Sequence, residues 1–267
     1  MELAGKTVLL SGATGGLGRA IATALASRGA TLVLSSRKAE ALEELARSLP
    51  GDGHRTAVAD LAEPNAASAL VAQAGEVDIL VANAGLPGTG RLEGFSEQEL
   101  GRVLRVNLEA PIRIAWELVP AMQERGQGHL VFVSSLAGKA FSPRSSLYAA
   151  TKAGLRGFAL ALREDLWKAG VGASVVLPGF IREAGMFHDS GAKSPPGLGT
   201  STPEEVADGV VDAIERNRAE VEVAPRIQRA LARFAHRRPE IAGRLAYRRG
   251  PGGKIADEVA SGQADKR

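Results

Sequence analysis

Cysteine is absent from this 267-residue sequence, which excludes disulfide bonds, thiolate catalysis and zinc sites with cysteine ligands. Aromatic residues are also few, at 4% of the chain. No apolar run reaches the roughly 18 residues that a membrane-spanning helix requires. The start of the chain lacks a basic segment followed by an apolar run, so we expect no signal peptide. Together these absences favour a cytoplasmic protein.

Charge is nearly balanced overall but unevenly distributed along the chain. The formal net charge is +3, yet the residues from 226 to the end carry +7, which leaves −4 for residues 1–225. With 45% hydrophobic and 24% charged residues, the composition is that of a globular protein. We therefore expect one catalytic domain over residues 1–225 and a basic, helical extension over residues 226–267.

Short apolar runs alternate with helical patterns through the first 225 residues. Strands are predicted at Thr7–Ser11, Thr31–Ser35, Arg55–Ala59, Ile79–Ala82, His129–Ser134, Gly172–Leu177 and Glu220–Ala224. Helices are predicted at Gly18–Arg28, Lys38–Ser48, Ser96–Arg125, Tyr148–Ala169 and Pro203–Asn217. Most strands are continuous apolar runs, as in parallel strands covered on both faces. The pattern predicts an α/β fold, namely a single-domain, Rossmann-type, doubly wound parallel sheet of about seven strands with helices on both faces.

A segment rich in glycine, serine and proline, residues 179–202, interrupts this rhythm after a strand. Loops at the carboxyl ends of parallel strands form ligand sites in such sheets, so this segment is predicted to be a substrate lid. Within it, Phe180, Met186 and Phe187 are predicted to form an apolar wall beside the substrate.

A glycine-rich turn joins the first strand to the first helix. Glycines there permit a tight turn and close approach of a pyrophosphate, and the helix N-terminus offers unpaired N–H groups. The alternative is a purely structural turn, which the position in the first β-α-β unit disfavours. The predicted cofactor contacts in this turn are Ser11, Gly12, Thr14, Gly16, Leu17 and Gly18.

The end of the second strand favours NADP(H) over NAD(H). Sites for NAD(H) usually carry an acidic residue there to bind the ribose 2′-hydroxyl. This sequence has Ser36 and Arg37 instead, and a guanidinium can bind a 2′-phosphate through bidentate hydrogen bonds. The alternative is that Arg37 and Lys38 are solvated residues at the start of a helix.

Tyr148 and Lys152 are four residues apart and are predicted to lie on one face of a helix. Lowering the pKa of a phenol from about 10 to about 7 requires roughly 4 kcal/mol, which an ammonium about 4 Å away supplies at an effective dielectric near 20. We therefore predict that Lys152 lowers the pKa of Tyr148. Ser135 ends a buried strand upstream, where its hydroxyl can bond a substrate oxygen. Each feature also has a simpler explanation when it is considered alone. The Tyr–Lys spacing occurs by chance in many helices, and the alternative for Ser135 is that it only ends the strand.

Taken together, these motifs resemble the short-chain dehydrogenase/reductase family, from residue 5 to about residue 224. Further matches are Asp60 and Leu61 after the third strand, Asn83, Ala84 and Gly85 after the fourth, Asn107 in the long helix, and Pro178 and Gly179 after the sixth. The resemblance implies that all of these except Asn107 line the cofactor, with Asp60 contacting adenine. One position departs from the family, which usually has a threonine where this chain has Glu183. Either the backbone of Ile181 replaces that contact to the nicotinamide carboxamide, or Glu183 faces solvent.

The resemblance also implies a mechanism with a catalytic tetrad of Asn107, Ser135, Tyr148 and Lys152. Tyr148 would exchange a proton with the substrate oxygen, which Ser135 orients. Lys152 would also hold the nicotinamide ribose, and Asn107 would anchor a water that links Lys152 to solvent. The hydride belongs to the cofactor. No metal is expected.

The resulting prediction is an NADP(H)-dependent oxidoreductase that interconverts a carbonyl and an alcohol on a small molecule. It is expected to form a homodimer or homotetramer and not to bind nucleic acid. One alternative is a non-catalytic NADP(H)-sensing regulator on the same fold, although a sensor has no need of the Tyr–Lys pair. A further alternative is an epimerase or dehydratase on the same fold. It is disfavoured, because such proteins usually have a longer C-terminal substrate domain than this sequence provides.

The basic extension predicts an amphipathic helix. Recurrent arginines lie opposite an apolar stripe of Ile227, Leu231 and Phe234, and a second short helix is predicted around Ile241 and Leu245. One interpretation is contact with an anionic membrane surface. The favoured alternative is that the stripe packs on the catalytic body or on another subunit. The residues after 249 are expected to be loosely ordered.

Overall fold

The computed structural model of the protein describes residues 1–194, 197–249 and 258–263. At its centre lies a parallel sheet of seven strands in the order β3-β2-β1-β4-β5-β6-β7, which confirms the predicted doubly wound α/β fold. The strands are β1 (Thr7–Ser11), β2 (Thr31–Ser36), β3 (Arg55–Val58), β4 (Ile79–Ala82), β5 (Gly128–Val133), β6 (Val171–Pro178) and β7 (Glu220–Val223). Each differs from its predicted range by at most one residue at either end.

Helices cover both faces of this sheet. They are α1 (Gly16–Ala26), α2 (Ala39–Ser48), α3 (Ala66–Ala74), α4 (Glu97–Leu104), α5 (Ala110–Arg125), α6 (Ser146–Leu166), α7 (Gly185–Asp189), α8 (Pro203–Glu215), α9 (Arg226–Arg237) and α10 (Pro239–Arg249). Side chains from α3, α5 and α6 join one core cluster, and side chains from α1, α2 and α8 join the other.

The apolar strands supply both clusters at once. Leu9 of β1 and Leu80 of β4 belong to the first cluster, whereas their neighbours Leu10 and Val81 belong to the second. Successive side chains of a strand point to opposite faces, so a strand buried on both sides needs apolar residues at consecutive positions. This is the physical reason why the strands have no alternating pattern.

Three helical features depart from the sequence prediction, one of them the short helix α7 within the lid. Helix α3 was not expected, although nine residues form it. The predicted long helix Ser96–Arg125 is interrupted by a π-helical turn, Arg105–Glu109, between α4 and α5. Its start is as predicted, because Ser96 accepts a hydrogen bond from the Glu99 backbone and the Glu99 carboxylate accepts one from the Ser96 backbone.

In the basic extension the structure has α9 and α10, and α9 begins directly after Pro225. The expectation that its apolar stripe packs on the catalytic body is wrong, since Ile227, Leu231 and Phe234 are exposed, whereas packing on another subunit stays a prediction. Gln228 and Ala232 face the body instead. In the described part of the chain, no helix is both long and apolar enough to span a membrane.

Part of the extreme C-terminus packs on the lid, contrary to the expectation that it is loosely ordered. Residues 258–263 reach the lid helix α7, where the Gln263 Nε2 donates to the Met186 carbonyl at 2.7 Å. Gln263 is almost fully buried there. The other positions covered by that expectation, 250–257 and 264–267, lie outside the described residues.

Candidate active site

Parallel strands bring their carboxyl ends to one edge of the sheet, and most of the predicted site residues lie along that edge. The glycine turn follows β1, and Asn83 follows β4. Ser135 comes two residues after β5, and Pro178 is the last residue of β6. Residues far apart in sequence therefore meet in one cleft, because β1, β4, β5 and β6 are consecutive in the sheet.

Glycine is required at two positions of the turn. Gly12 has a φ of 66°, and a Cβ there would lie 2.8 Å from the Cα of Ala84. A Cβ on Gly18 would lie 2.1 Å from the Gly12 carbonyl oxygen. A larger residue at either position would displace backbone. The turn is thus packed tightly against the end of β4 and against the first helical turn.

The N-terminus of α1 suits a pyrophosphate. The helix begins at Gly16 after Gly15, which provides no side-chain cap, and its first turn contains no acidic residue. The first N–H groups of the helix therefore remain available to an anion, and no carboxylate competes for them. The lid approaches this point closely, because a Cβ on Gly16 would lie 2.3 Å from the Ala184 Cβ.

Ser11 and Asn83 hold the turn and the end of β4 together. The Ser11 hydroxyl accepts hydrogen bonds from the backbone N–H groups of Asn83, at 3.1 Å, and Ala84, at 3.2 Å. The Asn83 amide donates to the carbonyls of Ser11, at 3.3 Å, and Gly12, at 3.1 Å. Both side chains thereby fix the backbone of the predicted cofactor cleft.

The predicted adenosine end of the cleft contains Asp60, Ser36 and Arg37. Asp60 Oδ1 accepts a hydrogen bond from Ala62 N at 3.0 Å, which fixes the carboxylate after β3. Ser36 Oγ accepts one from Lys38 N at 3.3 Å. Arg37 is exposed at the end of β2, so its guanidinium is accessible to a ligand.

Asn107 lies on the π-helical turn and is completely buried. Its Oδ1 accepts from Leu86 N at 2.7 Å, and its Nδ2 donates to Leu86 O at 2.9 Å. A longer contact, 3.5 Å, joins Nδ2 to the Thr151 hydroxyl on α6. The amide thus connects the loop after β4 with α6. Its predicted role in a water relay stays a prediction.

Ser135 and Tyr148 face each other across the cleft. The Ser135 hydroxyl accepts from Ala137 N at 3.1 Å and lies 3.4 Å from the Pro178 carbonyl. It also hydrogen-bonds the Tyr148 hydroxyl, which tends to lower the pKa of that phenol. Two hydroxyls are therefore close enough to bind one substrate oxygen together.

Burial dominates the pKa values of the Tyr148 and Lys152 side chains. It raises the pKa of Tyr148 to about 12, despite the opposing hydrogen bond from Ser135, and it lowers the pKa of Lys152 to about 8. The Lys152 ammonium lies 5.7 Å from the centre of the phenol ring and donates to the Val133 carbonyl at 3.0 Å. In this structure the net pKa of Tyr148 is therefore raised rather than lowered, and the lowering effect of Lys152 on the phenol stays a prediction. Desolvation disfavours both charged forms, because burial removes each of them from water.

The lid brings the predicted apolar residues to this cleft. The rings of Phe180 and Phe187 pack with centroids 4.6 Å apart. The Met186 Cε lies 3.8 Å from where a Cβ of Gly85 would be, and the Lys152 Nζ lies 3.7 Å from the same point. Met186 therefore lies close to Lys152, whereas the predicted contact of Phe180 and Phe187 with substrate stays a prediction.

The structure agrees with the interpretation in which Glu183 faces solvent, whereas a contact from the Ile181 backbone to the nicotinamide carboxamide stays a prediction. The Glu183 side chain is 63% exposed and pairs with the neighbouring Arg182 at 2.9 Å. Glu183 therefore faces solvent rather than the cleft. Ile181 is buried and pairs with Ser201 in a short parallel bridge, which closes the base of the lid.

One residue of the lid region was missed by sequence reasoning. Gln228, on the inner side of α9, accepts a hydrogen bond from Phe180 N at 3.2 Å. Its Nε2 donates to the carbonyls of Leu198, at 3.2 Å, and Gly199, at 2.8 Å. The available signal was a polar residue on the face of α9 opposite the apolar stripe. A Cβ on Gly179 would lie 2.3 Å from the Oε1 of Gln228, which explains why a glycine follows Pro178.

A charged network anchors α9 and the loop after Ser135. Lys139 pairs with Glu220 and, at 2.7 Å, with Glu222. Arg156 contacts Glu220 at 2.6 Å, and Arg233 of α9 contacts Glu222 at 2.8 Å. Although burial opposes it, the contact with Lys139 and then that with Arg233 lower the pKa of Glu222. The network fixes α9 relative to β7 and α6.

Comparison with known proteins agrees with this geometry. A family model described as short chain dehydrogenase matches residues 6–195. The chain belongs to the short chain dehydrogenase family. As a member it is an oxidoreductase of CH–OH and C=O groups that uses a nicotinamide cofactor.

Curated relatives include two named for ketoacyl reduction. The ketoacyl reductase HetN of Nostoc sp. is 40% identical over 225 residues, which are 82% of this chain and 78% of that protein. The 3-oxoacyl-[acyl-carrier-protein] reductase FabG of Rickettsia prowazekii is 32% identical over 182 residues, 68% of this chain and 75% of that one. Among solved structures, a short-chain dehydrogenase from Sphingobium yanoikuyae in complex with NADPH has a TM-score of 0.77 at 26% identity. That match covers 89% of this chain and 95% of the other.

Proposed function

We propose that this chain is an NADP(H)-dependent carbonyl reductase in which Tyr148 donates the proton. The observation that carries the proposal is the hydrogen bond between the hydroxyls of Ser135 and Tyr148 at the carboxyl end of the sheet. With its pKa near 12, the phenol is protonated at neutral pH and so is able to donate. The reverse reaction, alcohol oxidation, would require the same phenol to accept a proton.

Each residue near the hydroxyl pair has a defined part in this mechanism. The substrate oxygen accepts hydrogen bonds from Ser135 and Tyr148, which stabilise the charge that develops on it. The bound cofactor supplies the hydride. Tyr148 then transfers its proton to the oxygen. The Lys152 ammonium, below its pKa of about 8, keeps a positive charge near the phenol as the phenolate forms.

The choice of NADP(H) rests on Ser36 and Arg37 at the end of β2. We expect Arg37→Ala to weaken NADPH binding at least about tenfold, because a bidentate guanidinium–phosphate contact is lost, with little change for NADH. Titrations followed by nicotinamide fluorescence give the dissociation constants of NADPH and of NADH. Lys38→Ala, at the adjacent exposed position, is the control. Equal weakening for both cofactors would reverse this assignment.

For the substrate we propose 3-ketoacyl thioesters or related ketones with an apolar chain. Several relatives are named for ketoacyl reduction, Met186 lies close to Lys152, and the rings of Phe180 and Phe187 form an apolar pair in the same lid. Assembly as a homodimer or homotetramer and location in the cytoplasm stay predictions. The exposed Trp116 on α5 is available to such an interface.

The decisive variant is Tyr148→Phe, which removes the proton donor and keeps the ring. We expect ketone reduction by NADPH, followed by nicotinamide absorbance, to fall by about 10²- to 10⁴-fold while NADPH affinity is retained. Ser142→Ala, in the loop before α6, is the control and should keep its activity. Turnover by Tyr148→Phe within threefold of the parent protein would refute the assignment of the donor. A parent protein that binds NADPH but reduces no member of a carbonyl panel would favour the sensor.

A further inference from the structure

Helices α9 and α10 present an apolar surface that the described part of the chain leaves uncovered. Ile227, Leu231 and Phe234 on α9 are 48%, 49% and 40% exposed, and Ile241 and Leu245 on α10 are 47% and 48% exposed. Spacings of three and four residues place each set on one side of its helix. We call these five side chains the outward apolar face. Exposed apolar patches of this kind mark interaction surfaces.

The orientation of α9 is fixed by its opposite side. Gln228 and Ala232 are only 7% and 4% exposed, and Arg233 is paired with Glu222 on β7. Rotating the helix to bury the outward apolar face would break the hydrogen bonds of Gln228 and this ion pair. The face therefore points away from the body because the inner side of the helix is bound to it.

The basic surplus of the whole protein lies on these two helices. Residues 226–249 contain eight arginines and one glutamate, a net charge of +7, whereas residues 250–267 contain three basic and three acidic residues. Arg226 and Arg237 are exposed and Arg229 is partly exposed. Apolar side chains and a dense positive charge thus occupy the same short segment.

We propose that α9 and α10 dock on an anionic membrane surface, with the outward apolar face inserted at the level of the lipid head groups. Lipid satisfies both features, since head groups attract the arginines and the acyl boundary accepts the apolar side chains. A second copy of the chain fits less well, because a twofold interface would place this positive surface against itself. Nucleic acid would use the charge but leave five large apolar side chains in water.

Vesicle co-sedimentation of the full-length protein tests this docking. We expect binding to phosphatidylcholine vesicles that contain about 30% phosphatidylglycerol, weak binding to pure phosphatidylcholine, and release at high salt. The triple variant Arg226→Gln, Arg229→Gln, Arg237→Gln should lower the partition coefficient on the order of a hundredfold, at about fivefold for each charge. The double variant Leu231→Ser, Phe234→Ser should lower it at least about tenfold.

The matched control is Trp167→Ser, which removes an equally large exposed side chain at the end of α6, and which should bind vesicles normally. Thermal unfolding and turnover of each variant confirm that it is folded. Equal binding to neutral and anionic vesicles, or unchanged binding by the tail variants, would overturn the proposal. The proposal would also be overturned if the protein does not bind vesicles and these residues are instead required for binding duplex DNA or for forming a dimer, as measured by light scattering.

A separate observation carries a second inference, which rests on the proposed function. Gln228 hydrogen-bonds Phe180 at the beginning of the lid and Leu198 and Gly199 near its end. Its side chain is nearly buried, so these bonds are shielded from water. We infer that Gln228 is a positioning residue that holds the two ends of the lid together and thereby the apolar wall over the substrate.

Limited trypsin digestion tests this role, because Lys193 is exposed within the lid. We expect Gln228→Met, which removes every hydrogen bond, to accelerate cleavage at Lys193 on the order of tenfold. Gln228→Glu keeps the acceptor for Phe180 N but turns a carboxylate oxygen towards the carbonyls of Leu198 and Gly199, so its cleavage should be at least as fast as that of Gln228→Met. Arg229→Met, one position along α9, is the control and should be cleaved like the parent protein.

Kinetics separate lid positioning from a general loss of structure. We expect Gln228→Met to raise KM for the carbonyl substrate several-fold with a smaller change in kcat, at an unchanged thermal midpoint for the catalytic core. Digestion repeated in a Tyr148→Phe background reports on the lid without any turnover, so this inference can fail independently of the proposed function. Parent-like cleavage and an unchanged KM in Gln228→Met would overturn it.

Discussion

Alcohol oxidation by this protein should depend steeply on pH, because it requires the phenolate form of Tyr148. Burial raises the pKa of this phenol to about 12. At pH 7, about five pH units lower, only about one tyrosine in 10⁵ would be ionised, and forming the phenolate would cost about 7 kcal/mol. Carbonyl reduction uses the protonated form, which is fully populated at the same pH.

The assay measures kcat/KM for alcohol oxidation between pH 6 and pH 10, by the appearance of reduced nicotinamide. We expect a rise of about tenfold per pH unit below the apparent pKa of the cofactor complex. Reduction, measured in parallel, should lack this rise. A break well below pH 12 would measure how far the oxidised cofactor and the substrate lower the pKa of Tyr148.

The control for this pH dependence is Tyr148→Phe, whose residual oxidation should lose the tenfold slope because no phenol remains to titrate. Two results would refute the reasoning. One is oxidation by the parent protein that is independent of pH across the whole range. The other is an unchanged slope in Tyr148→Phe, which would assign the titration to another group.

Two further predictions concern buried groups. His129 contacts Ser174 at 2.8 Å, and burial lowers the pKa of its imidazole from 6.5 to about 3. The folded protein therefore keeps His129 neutral in a pH range where the unfolded chain protonates it. The free energy of unfolding should be highest above pH 6.5 and should fall as pH decreases towards 3, by about 1.4 kcal/mol per pH unit and about 5 kcal/mol in all. Urea midpoints between pH 6.5 and pH 4 should therefore fall less steeply for His129→Gln than for the parent protein, and parallel curves would contradict this. Gly18→Ala should weaken cofactor binding at least about tenfold and destabilise the protein by about 1–3 kcal/mol, because its Cβ would lie 2.1 Å from the Gly12 carbonyl oxygen. Gly157→Ala, a helical glycine with open space around its Cβ position, is the control, and equal effects in both would argue against the tight turn.

The sheet was predictable from sequence because each of its strands is a local apolar run next to a turn. Helix α3 was not, since its alanine-rich sequence forms no marked apolar stripe and follows a left-handed Asn65. The π-helical turn that holds Asn107 was also missed, because Arg105–Glu109 includes no proline or glycine that would mark an interruption of the helix. Motif residues such as Gly12 and Tyr148 could be placed in the cleft, as their order along the chain and the parallel topology together define its edge.

By itself, the sequence determined the positions of the strands along the chain, the glycine turn, the Ser135, Tyr148 and Lys152 set, and the basic, amphipathic character of the C-terminal helices. Only the tertiary structure decided that the pKa of Tyr148 is raised, that Gln228 faces the lid and that the apolar stripe of α9 faces outward. The reason is physical. Local patterns fix which residues share a strand end or a helix face, whereas burial and the direction of a face depend on every element packed around them.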